Sequence, residues 1–272
     1  MMAVGKAIRR IPVAGRIYSM ARRWLRYRSD QGRREFRNFS DFVHALEHKG
    51  PGAMELETFD GLRITVRRNQ WDARIVREIF VDQPYVRHVV VPGKPVVVDI
   101  GGYIGDFTLF AAKRLDASRV IVYEPTPENF EILLRNVTNN GFLERVEAVN
   151  KAVSNSPEIT LNVEQKVHAE IHASAYWYEG MSQRKVAAAT LAEIVEEHHL
   201  DRIDLLKIDC EGGEYDIIPD ADESILRRVS NIVFEFHRFP GYEARLQRVL
   251  QRLTLSGFSL TTSGHIVSAT RA

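Results

Sequence analysis

The spacing of hydrophobic positions along the chain changes near residue 95. Before it, two short apolar runs, Glu55–Thr58 and Leu62–Arg67, flank Asp60-Gly61 and predict a β-hairpin. Asp72–Phe80 shows the apolar spacing of a helix. After the Pro- and Gly-rich residues 92–95, apolar runs alternate with segments of helical period. Continuous apolar strands separated by helices predict a parallel sheet that is covered on both faces.

The apolar runs and the segments between them predict individual elements. The predicted strands are Pro95–Ile100, Arg119–Tyr123, Val146–Ala152, Ile203–Ile208 and Asn231–Phe236, with Glu158–Val163 as an extra strand. The predicted helices are Phe107–Leu115, the segment from Pro127 to Gly141, Thr190–Glu197 and Arg245–Leu255. The last two runs, Phe258–Thr262 and His265–Thr270, predict a hairpin that adds an antiparallel strand at one edge of the sheet.

These break points divide the chain into three predicted units. Residues 1–50 form a basic extension that we expect to be helical, residues 51–94 supply the hairpin and helix, and residues 95–272 form the α/β domain. A content of 44% hydrophobic and 27% charged residues is typical of a globular protein and excludes a wholly disordered chain. The single cysteine, Cys210, excludes an intramolecular disulfide and a cysteine-cluster metal site.

Charge is distributed unevenly along the chain. Residues 1–40 hold eleven Lys or Arg and two acids, although the net charge of the whole chain is only +1. Because the net charge of the whole chain is close to zero, we expect no nucleic-acid partner. Ile17, Met20 and Trp24 recur at helical spacing among arginines, a pattern of either a helix on an anionic membrane or one packed on the protein's own acidic body. We expect a cytoplasmic protein in which residues 1–40 make peripheral contact with the inner membrane face.

Polar groups follow four predicted strands at the point where each strand ends. A Gly-rich loop spans residues 99–105, Glu124-Pro125 follows the second strand, and Asp209-Cys210-Glu211 and Glu235-Phe236-His237 end two later strands. In open α/β sheets, ligands bind at the carboxyl ends of the strands, where the strand order reverses. The sequence therefore predicts a ligand site at this edge.

The glycine spacing favours a nucleoside that carries an amino acid over a dinucleotide. In a Gly-x-Gly-x-x-Gly nicotinamide motif, the first glycine would fall on Ile100, whereas the chain has Asp99-x-Gly101-x-x-x-Gly105. An acid near a helix N-terminus repels pyrophosphate but accepts from an ammonium group. Glu124 is placed to hold both ribose hydroxyls by charge-assisted hydrogen bonds. The alternatives are a tight turn without a ligand for the glycines and a helix-entry acid for Glu124.

These segments resemble the FkbM family of S-adenosylmethionine-dependent methyltransferases over about residues 80–270. The matching segments are Asp99 to Thr108, Glu124-Pro125-x-Pro127, Asn136, Lys151 to Ser154, Thr190-Leu191, Leu206 to Glu214 and Glu235-x-His237. The family usually has Ala-Asn at Gly102-Tyr103, and Val-Glu-Gly-Ala-Glu at residues 210–214. The resemblance implies a Rossmann-like class I methyltransferase with a mostly parallel seven-stranded sheet, and O-methylation of a hydroxyl in most members.

The resemblance also implies a cofactor and a set of residues that hold it. S-adenosylmethionine is expected to contact Asp99, Gly101, Gly102, Tyr103, Gly105, Glu124, Ala152 and Asp209. The expected acceptor is a hydroxyl of a glycan, glycolipid or secondary metabolite. A hydroxyl is a poor nucleophile at neutral pH, so a general base should assist.

The candidates for that base lie at the strand ends. They are Asp209, Glu211, Glu214, Glu235 and His237. We expect His237 to take the proton, because histidine titrates nearest neutral pH, with Asp209 or Glu211 orienting the imidazole or the acceptor. Asp209, Glu235 and His237 could also hold a divalent cation, but the sequence does not fix their mutual geometry, so no metal is predicted.

Two other function classes stay open. One is a nucleotide- or NAD-linked enzyme on the same fold, which the glycine spacing disfavours. The other is a non-catalytic module whose basic arm binds a membrane or partner. Six aromatic and polar residues between strands could stack on a sugar ring, but we expect a surface loop; they are His168, His172, Ser174, Tyr176, Trp177 and Tyr178. The sequence does not predict the acceptor's identity, because acceptor contacts lie in variable loops. It also does not predict the oligomeric state.

Overall fold

Thirteen strands and nine helices make up the part of the chain that the computed structural model describes, residues 30–47, 50–68, 71–166, 170–174 and 181–271. The strands are β1 (Ala53–Glu57), β2 (Arg63–Arg67), β3 (Val96–Ile100), β4 (Arg119–Tyr123), β5 (Val146–Val149), β6 (Ala152–Val153), β7 (Glu158–Lys166), β8 (Glu170–Ser174), β9 (Met181–Ala189), β10 (Leu205–Ile208), β11 (Asn231–Glu235), β12 (Ser259–Ser263) and β13 (Ile266–Thr270). The helices are α1 (Asp30–Glu35), α2 (Phe39–Glu47), α3 (Trp71–Arg77), α4 (Asp106–Arg114), α5 (Pro127–Asn139), α6 (Leu191–Glu197), α7 (Glu214–Ile217), α8 (Glu223–Leu226) and α9 (Tyr242–Leu255). A π-helical turn, Glu78–Asp82, extends α3.

Seven strands form the main sheet in the order β12-β13-β11-β10-β3-β4-β5. The five strands from β11 to β5 are parallel, and the hairpin of β12 and β13 is antiparallel. The predicted Rossmann-like sheet with an antiparallel edge hairpin is therefore confirmed. The chain proceeds from β3 to β4 and β5 on one side and then crosses to β10 and β11 on the other. The order thus reverses between β3 and β10, where a ligand crevice is expected.

Two hydrophobic cores lie on opposite faces of this sheet. On one face Val97 of β3 packs in a core with Phe110 of α4 and Leu133 of α5. On the other face Val98 packs in a core with Ile194 of α6. Because successive strand residues face opposite sides and both sides are covered, each strand reads as an unbroken apolar run. This is why the sequence pattern located these strands.

The segment that precedes β3 packs on the first of these cores. Leu46 of α2 and Leu56 of the β1–β2 hairpin are buried in the same cluster as Val97. The predicted hairpin and the helix after it are both present, and a buried ion pair joins them, with Arg67 Nε 2.9 Å from Asp72 Oδ2. The N-terminal unit is therefore held against the sheet by apolar packing, and a desolvated ion pair holds its hairpin to its helix.

The basic helix predicted around Ile17, Met20 and Trp24 lies outside the described residues, so peripheral membrane contact stays a prediction. None of the helices in the described ranges has the length and apolar character needed to cross a bilayer.

A second sheet, ordered β6-β9-β7-β8, adjoins the main one. The predicted strand Val146–Ala152 is in fact two strands: β5 pairs with β4 in the main sheet, whereas β6 pairs with β9. Asn150 lies between them, and its side-chain amide donates to the Glu124 carbonyl at 2.8 Å. The loop expected over the aromatic stretch is wrong for residues 170–174, which pair antiparallel with β7. The aromatic residues of that stretch lie outside the described ranges.

Candidate active site

A cleft of about 270 Å³ opens at the carboxyl ends of β3, β4, β10 and β11. Gly101, Glu124, Asp209 and Glu235 line it, one from each strand end. Further walls come from the N-terminal unit and from β6 and β7, through Trp71, Glu78, Tyr85, Ala152 and Leu161. The structure therefore brings the four predicted strand ends together around one concave surface.

The shape of the glycine loop follows from its packing on neighbouring strands. Gly101 has a φ of +81°, and a Cβ there would lie 1.8 Å from the Asp209 carbonyl oxygen. A Cβ on Gly102 would lie 2.2 Å from Val122 Cγ2, and one on Gly105 would lie 3.2 Å from Leu133 Cγ. The packing thus requires glycine at the first two positions, and a φ of +83° favours glycine at Gly105 as well. The case for a cofactor depends on the side chains around the loop.

Glu124 is a buried carboxylate that anchors this loop to the end of β4. Its Oε2 accepts from the Tyr103 backbone N–H at 2.9 Å, and its Oε1 accepts from the Thr126 N–H at 2.9 Å. Burial raises the pKa of Glu124, and these two hydrogen bonds offset part of that rise. The Asn129 side-chain amide lies 3.4 Å from the same Oε1. A carboxylate has about four acceptor positions, so Glu124 can still receive a further donor from the cleft, at Oε2. Its contact with a ribose stays a prediction.

Asp99 lies beneath the loop, and a lysine of the protein occupies the position beside it. Lys207 Nζ is 3.0 Å from Asp99 Oδ1, and the Thr108 hydroxyl donates to Asp99 Oδ2 at 2.7 Å. Lys207 and Asp99 are directly paired residues on β10 and β3, and both are fully buried. This geometry does not favour the predicted contact between Asp99 and a ligand ammonium.

Asp106 is an acid in the cleft that the sequence reasoning did not assign to the site. It begins α4, directly after Gly105, and only 3% of it is exposed. Its Oδ1 accepts from the Phe107 N–H at 2.7 Å, while its Oδ2 has no hydrogen-bond partner among the described residues. Burial raises its pKa to about 7, against the opposing charge of Lys207. An acid that directly follows the last loop glycine is the signal that could have identified it.

The side chain of Tyr103 makes its hydrogen bond within the protein. Its hydroxyl donates to Asp72 Oδ1 at 2.7 Å, and the Arg67 guanidinium lies 5.2 Å from its ring centre. The side chain therefore joins the glycine loop to the N-terminal unit while it lines the cleft. The predicted cofactor contact of Tyr103 stays untested.

The predicted catalytic residues meet at the ends of β10 and β11. His237 Nε2 lies 3.7 Å from Asp209 Oδ1 and 3.5 Å from Glu211 Oε2. The Tyr85 hydroxyl lies 2.8 Å from Asp209 Oδ2 and 3.0 Å from Glu235 Oε2. Cys210, between Asp209 and Glu211, is half-buried, and its Sγ lies 3.9 Å from Glu214 Oε2. The site is thus a cluster of carboxylates around one imidazole.

The ionisation of this cluster differs from the sequence expectation. Burial alone would lower the pKa of His237, but its hydrogen bond to Glu214 and the charge of Glu211 outweigh burial and raise it to about 10. His237 therefore carries a proton at neutral pH, which a general base must first lose. Burial and then the charge of Asp209 raise the pKa of Glu235 to about 7. Glu235 is consequently a second candidate for the proton acceptor, and the assignment to His237 stays a prediction.

Two further side chains in the cleft were missed at the level of sequence. Lys207 could have been found, because a lone lysine in the apolar run Leu205–Ile208 needs a buried acid as partner. Tyr85 carries no such signal, since its hydrogen-bond partners lie 124 and 150 positions along the chain.

A parallel sheet with this strand order, a Gly-rich loop and acids at the strand ends around one cleft defines a Rossmann-like methyltransferase. The profile of the Methyltransferase FkbM domain matches residues 99–260. The chain therefore belongs to the FkbM methyltransferase family, which confirms the resemblance found in its sequence, and methyl transfer of the FkbM type is its activity.

Known relatives agree with this assignment. Methyltransferase sdnD of Sordaria araneosa is 27% identical over 216 residues, which span 69% of this chain and 82% of that protein. The 31-O-demethyl-FK506 methyltransferase FkbM of Streptomyces tacrolimicus is 27% identical over 215 residues, which span 68% and 81%. The crystal structure of methyltransferase FkbM from Methylobacillus flagellatus KT superposes with a TM-score of 0.50 at 16% identity, over 70% of this chain and 47% of that one. The last similarity shows the shared fold.

Proposed function

We propose that this methyltransferase uses S-adenosylmethionine and transfers the methyl group to a hydroxyl oxygen of a small molecule, glycan or glycolipid. The supporting observation is the arrangement of acids along the cleft. Glu124 and Asp106 lie towards β3 and β4, while Asp209, Glu235 and His237 lie at the ends of β10 and β11. Since neighbouring strands are about 4.8 Å apart, β4 and β11 are separated by about 14 Å. That span suits a nucleoside at one end and an acceptor at the other.

The residues present in the cleft fit this cofactor. Bound there, S-adenosylmethionine would supply a methyl group on a positively charged sulfur. Glu124 retains an acceptor position at Oε2 for a ribose hydroxyl, and Asp106 Oδ2, which has no partner among the described residues, suits an ammonium group. Gly101 and Tyr103 of the glycine loop line the cleft together with Ala152, and they would contact the bound ligand; Gly102 and Gly105 are not among the lining residues.

Transfer to oxygen is supported by the cluster at the ends of β10 and β11. A hydroxyl placed between Glu235 and His237 would have groups beside it that can receive its proton or fix its direction. The printed name of one relative, 31-O-demethyl-FK506 methyltransferase, also places that protein's methyl transfer at an oxygen. Incubation with methyl-labelled S-adenosylmethionine and hydroxylated acceptors, followed by NMR of the product, tests this directly. Label on nitrogen or carbon would contradict it.

We expect calorimetry to detect binding of S-adenosylmethionine and of its demethylated product, with no comparable affinity for NAD. Glu124→Ala should weaken this binding by about 1.5–3 kcal/mol, because a charged hydrogen-bonding group is lost and the glycine loop loses its anchor. Glu131→Ala, in which an exposed helix acid is removed, is the matched control and should bind normally. Binding of NAD without binding of either sulfur compound would overturn the proposed cofactor.

We also expect cofactor affinity to depend on pH through Asp106. Only the ionised carboxylate pairs with an ammonium, so affinity should fall as pH is lowered through about 7, where Asp106 gains its proton. Asp106→Asn should bind more weakly at pH 8 and lose this pH dependence. Calorimetry of both proteins between pH 5.5 and 8.5, with buffers of matched ionic strength, measures it. If the affinity of the Asp106→Asn variant showed the same pH dependence as that of the unaltered chain, Asp106 would not be part of the cofactor site.

A further inference from the structure

Three side chains at the ends of β10 and β11 point to the same region of the cleft. Ile208 and Phe234 are paired residues on these parallel strands, so the residues that follow them, Asp209 and Glu235, lie side by side. His237 follows Glu235 by two positions, and alternate residues of an extended segment face the same side. One ligand atom from each of the three lies within 4.8 Å of the other two.

His237 is oriented by a buried carboxylate outside this group of three. Its Nδ1 lies 3.1 Å from Glu214 Oε1, and its backbone N–H donates to the same oxygen at 3.1 Å. Glu214 is fully buried and also accepts from the Gly212 N–H at 2.8 Å. The ring is therefore fixed with Nε2 towards Asp209. A histidine that binds a metal through one nitrogen commonly has its other nitrogen held by a carboxylate in this way.

In the described part of the chain, six carboxyl groups line the cleft, against three cationic side chains, Lys151, Lys207 and the protonated His237. Glu78, Asp209, Glu211 and Glu235 all line it, and Asp106, 97% buried, lines the same cleft with one oxygen unpartnered among the described residues. The Nζ of Lys207 forms an ion pair with Asp99 Oδ1 at 3.0 Å and lies farther, 3.9 Å, from Asp209 Oδ2.

Tyr85 does not compensate the two carboxylates it contacts. It carries a single hydroxyl proton and so donates to only one of Asp209 and Glu235 at a time. A further cation at this end of the cleft would therefore be stabilised.

We propose that Asp209, Glu235 and His237 bind one divalent cation of the Mn²⁺ or Mg²⁺ class. Carboxylate oxygens suit both ions, and the imidazole nitrogen favours Mn²⁺ over Mg²⁺. The cation would displace the proton from Nε2 of His237, while Nδ1 keeps its hydrogen bond to Glu214. Two ligand atoms on such a cation lie at most about 4.4 Å apart, so small side-chain rotations would complete the coordination.

The role of this cation rests on the proposed function. It would hold the acceptor hydroxyl and lower its pKa. The O–H bond would break, the proton would pass to the carboxylate of Glu211, and the oxygen would use the electron pair for a new bond to the methyl carbon. The bond between that carbon and the sulfur of S-adenosylmethionine would break, and the sulfur would keep its electron pair as S-adenosylhomocysteine leaves. The cation is neither oxidised nor reduced.

The test uses the full chain after a chelator has removed any metal. Mn²⁺ alone is titrated into it, and the electron paramagnetic resonance signal of free Mn²⁺ measures how much is bound. We expect one site per chain, weakened at least about 10-fold in Asp209→Asn and again in Glu235→Gln. Glu243→Gln removes an exposed acid of α9 and should bind Mn²⁺ like the unaltered chain. Circular dichroism establishes which variants are folded. No Mn²⁺ binding, or equal binding by the folded cleft variants, would overturn the proposal.

A second titration separates this proposal from the proposed function. Calorimetry with S-adenosylhomocysteine, with and without Mn²⁺, reports the cofactor site independently of the cation. If the chain binds S-adenosylhomocysteine but no Mn²⁺, the proposed cation site is wrong and the proposed cofactor stands. If the chain binds Mn²⁺, the cleft variants lose this binding, and the chain does not bind S-adenosylhomocysteine, then the cation site stands and the proposed cofactor is wrong.

Discussion

Replacing Lys207 by Met is expected to lower the free energy of unfolding by about 3–5 kcal/mol, the range for removing one partner of a buried ion pair. Lys207 is 3% exposed at its side chain, and its partner Asp99 is not exposed at all. The substitution keeps the approximate length of the side chain but leaves Asp99 with a buried charge and, among the described residues, only the Thr108 hydroxyl as a side-chain donor. Urea-induced unfolding followed by circular dichroism measures the change.

Two further variants give this experiment its controls. Lys185→Met removes one partner of an ion pair whose side chains are 74% and 55% exposed, and it should leave stability almost unchanged. Adding Asp99→Leu to Lys207→Met removes the uncompensated charge and should recover part of the loss. A Lys207→Met protein as stable as the unaltered chain would show that Asp99 is already neutral without its partner, in line with the upward shift that burial gives its pKa.

Replacing His237 by Gln is expected to lower turnover roughly 10²–10⁴-fold while cofactor affinity stays unchanged. Glutamine can still donate to Glu214, but it lacks both functions considered for His237: its amide is a poorer cation ligand than imidazole, and it cannot act as the base. The comparison requires kcat at saturating acceptor together with a calorimetric dissociation constant for the cofactor. His265→Gln, at the exposed turn between β12 and β13, should leave both quantities unchanged. Near-normal turnover in a folded His237→Gln protein would leave Glu235, Asp209 and Glu211 as the candidates for the proton acceptor.

The main sheet was predictable because its strands have covered faces on both sides. The second sheet was not, and β9 shows the reason. Its sequence from Met181 to Ala189 is mostly polar or alanine, and its described side chains up to Ala188 are exposed or half-buried, so no apolar period marks it. Its identity as a strand depends on antiparallel pairing with β7, whose Glu158 faces Ala187. Pairing across this distance is a property of the folded chain.

The candidate site shows the same division between local and long-range information. The parallel register places Asp209 beside Glu235, so reading the ends of the strands was sufficient to group them. The lysine in the apolar run Leu205–Ile208 indicated that some buried acid was needed, but not that this acid was Asp99, because the two lie more than a hundred residues apart. Tyr85 enters the cleft by a similar route, from outside the sheet.

Residues 71–85 form part of the cleft, although they precede every strand of the main sheet. A catalytic module excised at residue 95 and transplanted into a multienzyme chain would lack Tyr85, which contacts both Asp209 and Glu235, and the wall that Trp71 and Glu78 supply. A cut at residue 50 would remove Phe36 and Leu46 from the core on which that wall packs. A unit that is grafted with its cleft intact should therefore begin before Phe36 and include α2, well ahead of the segment that carries the family's motifs.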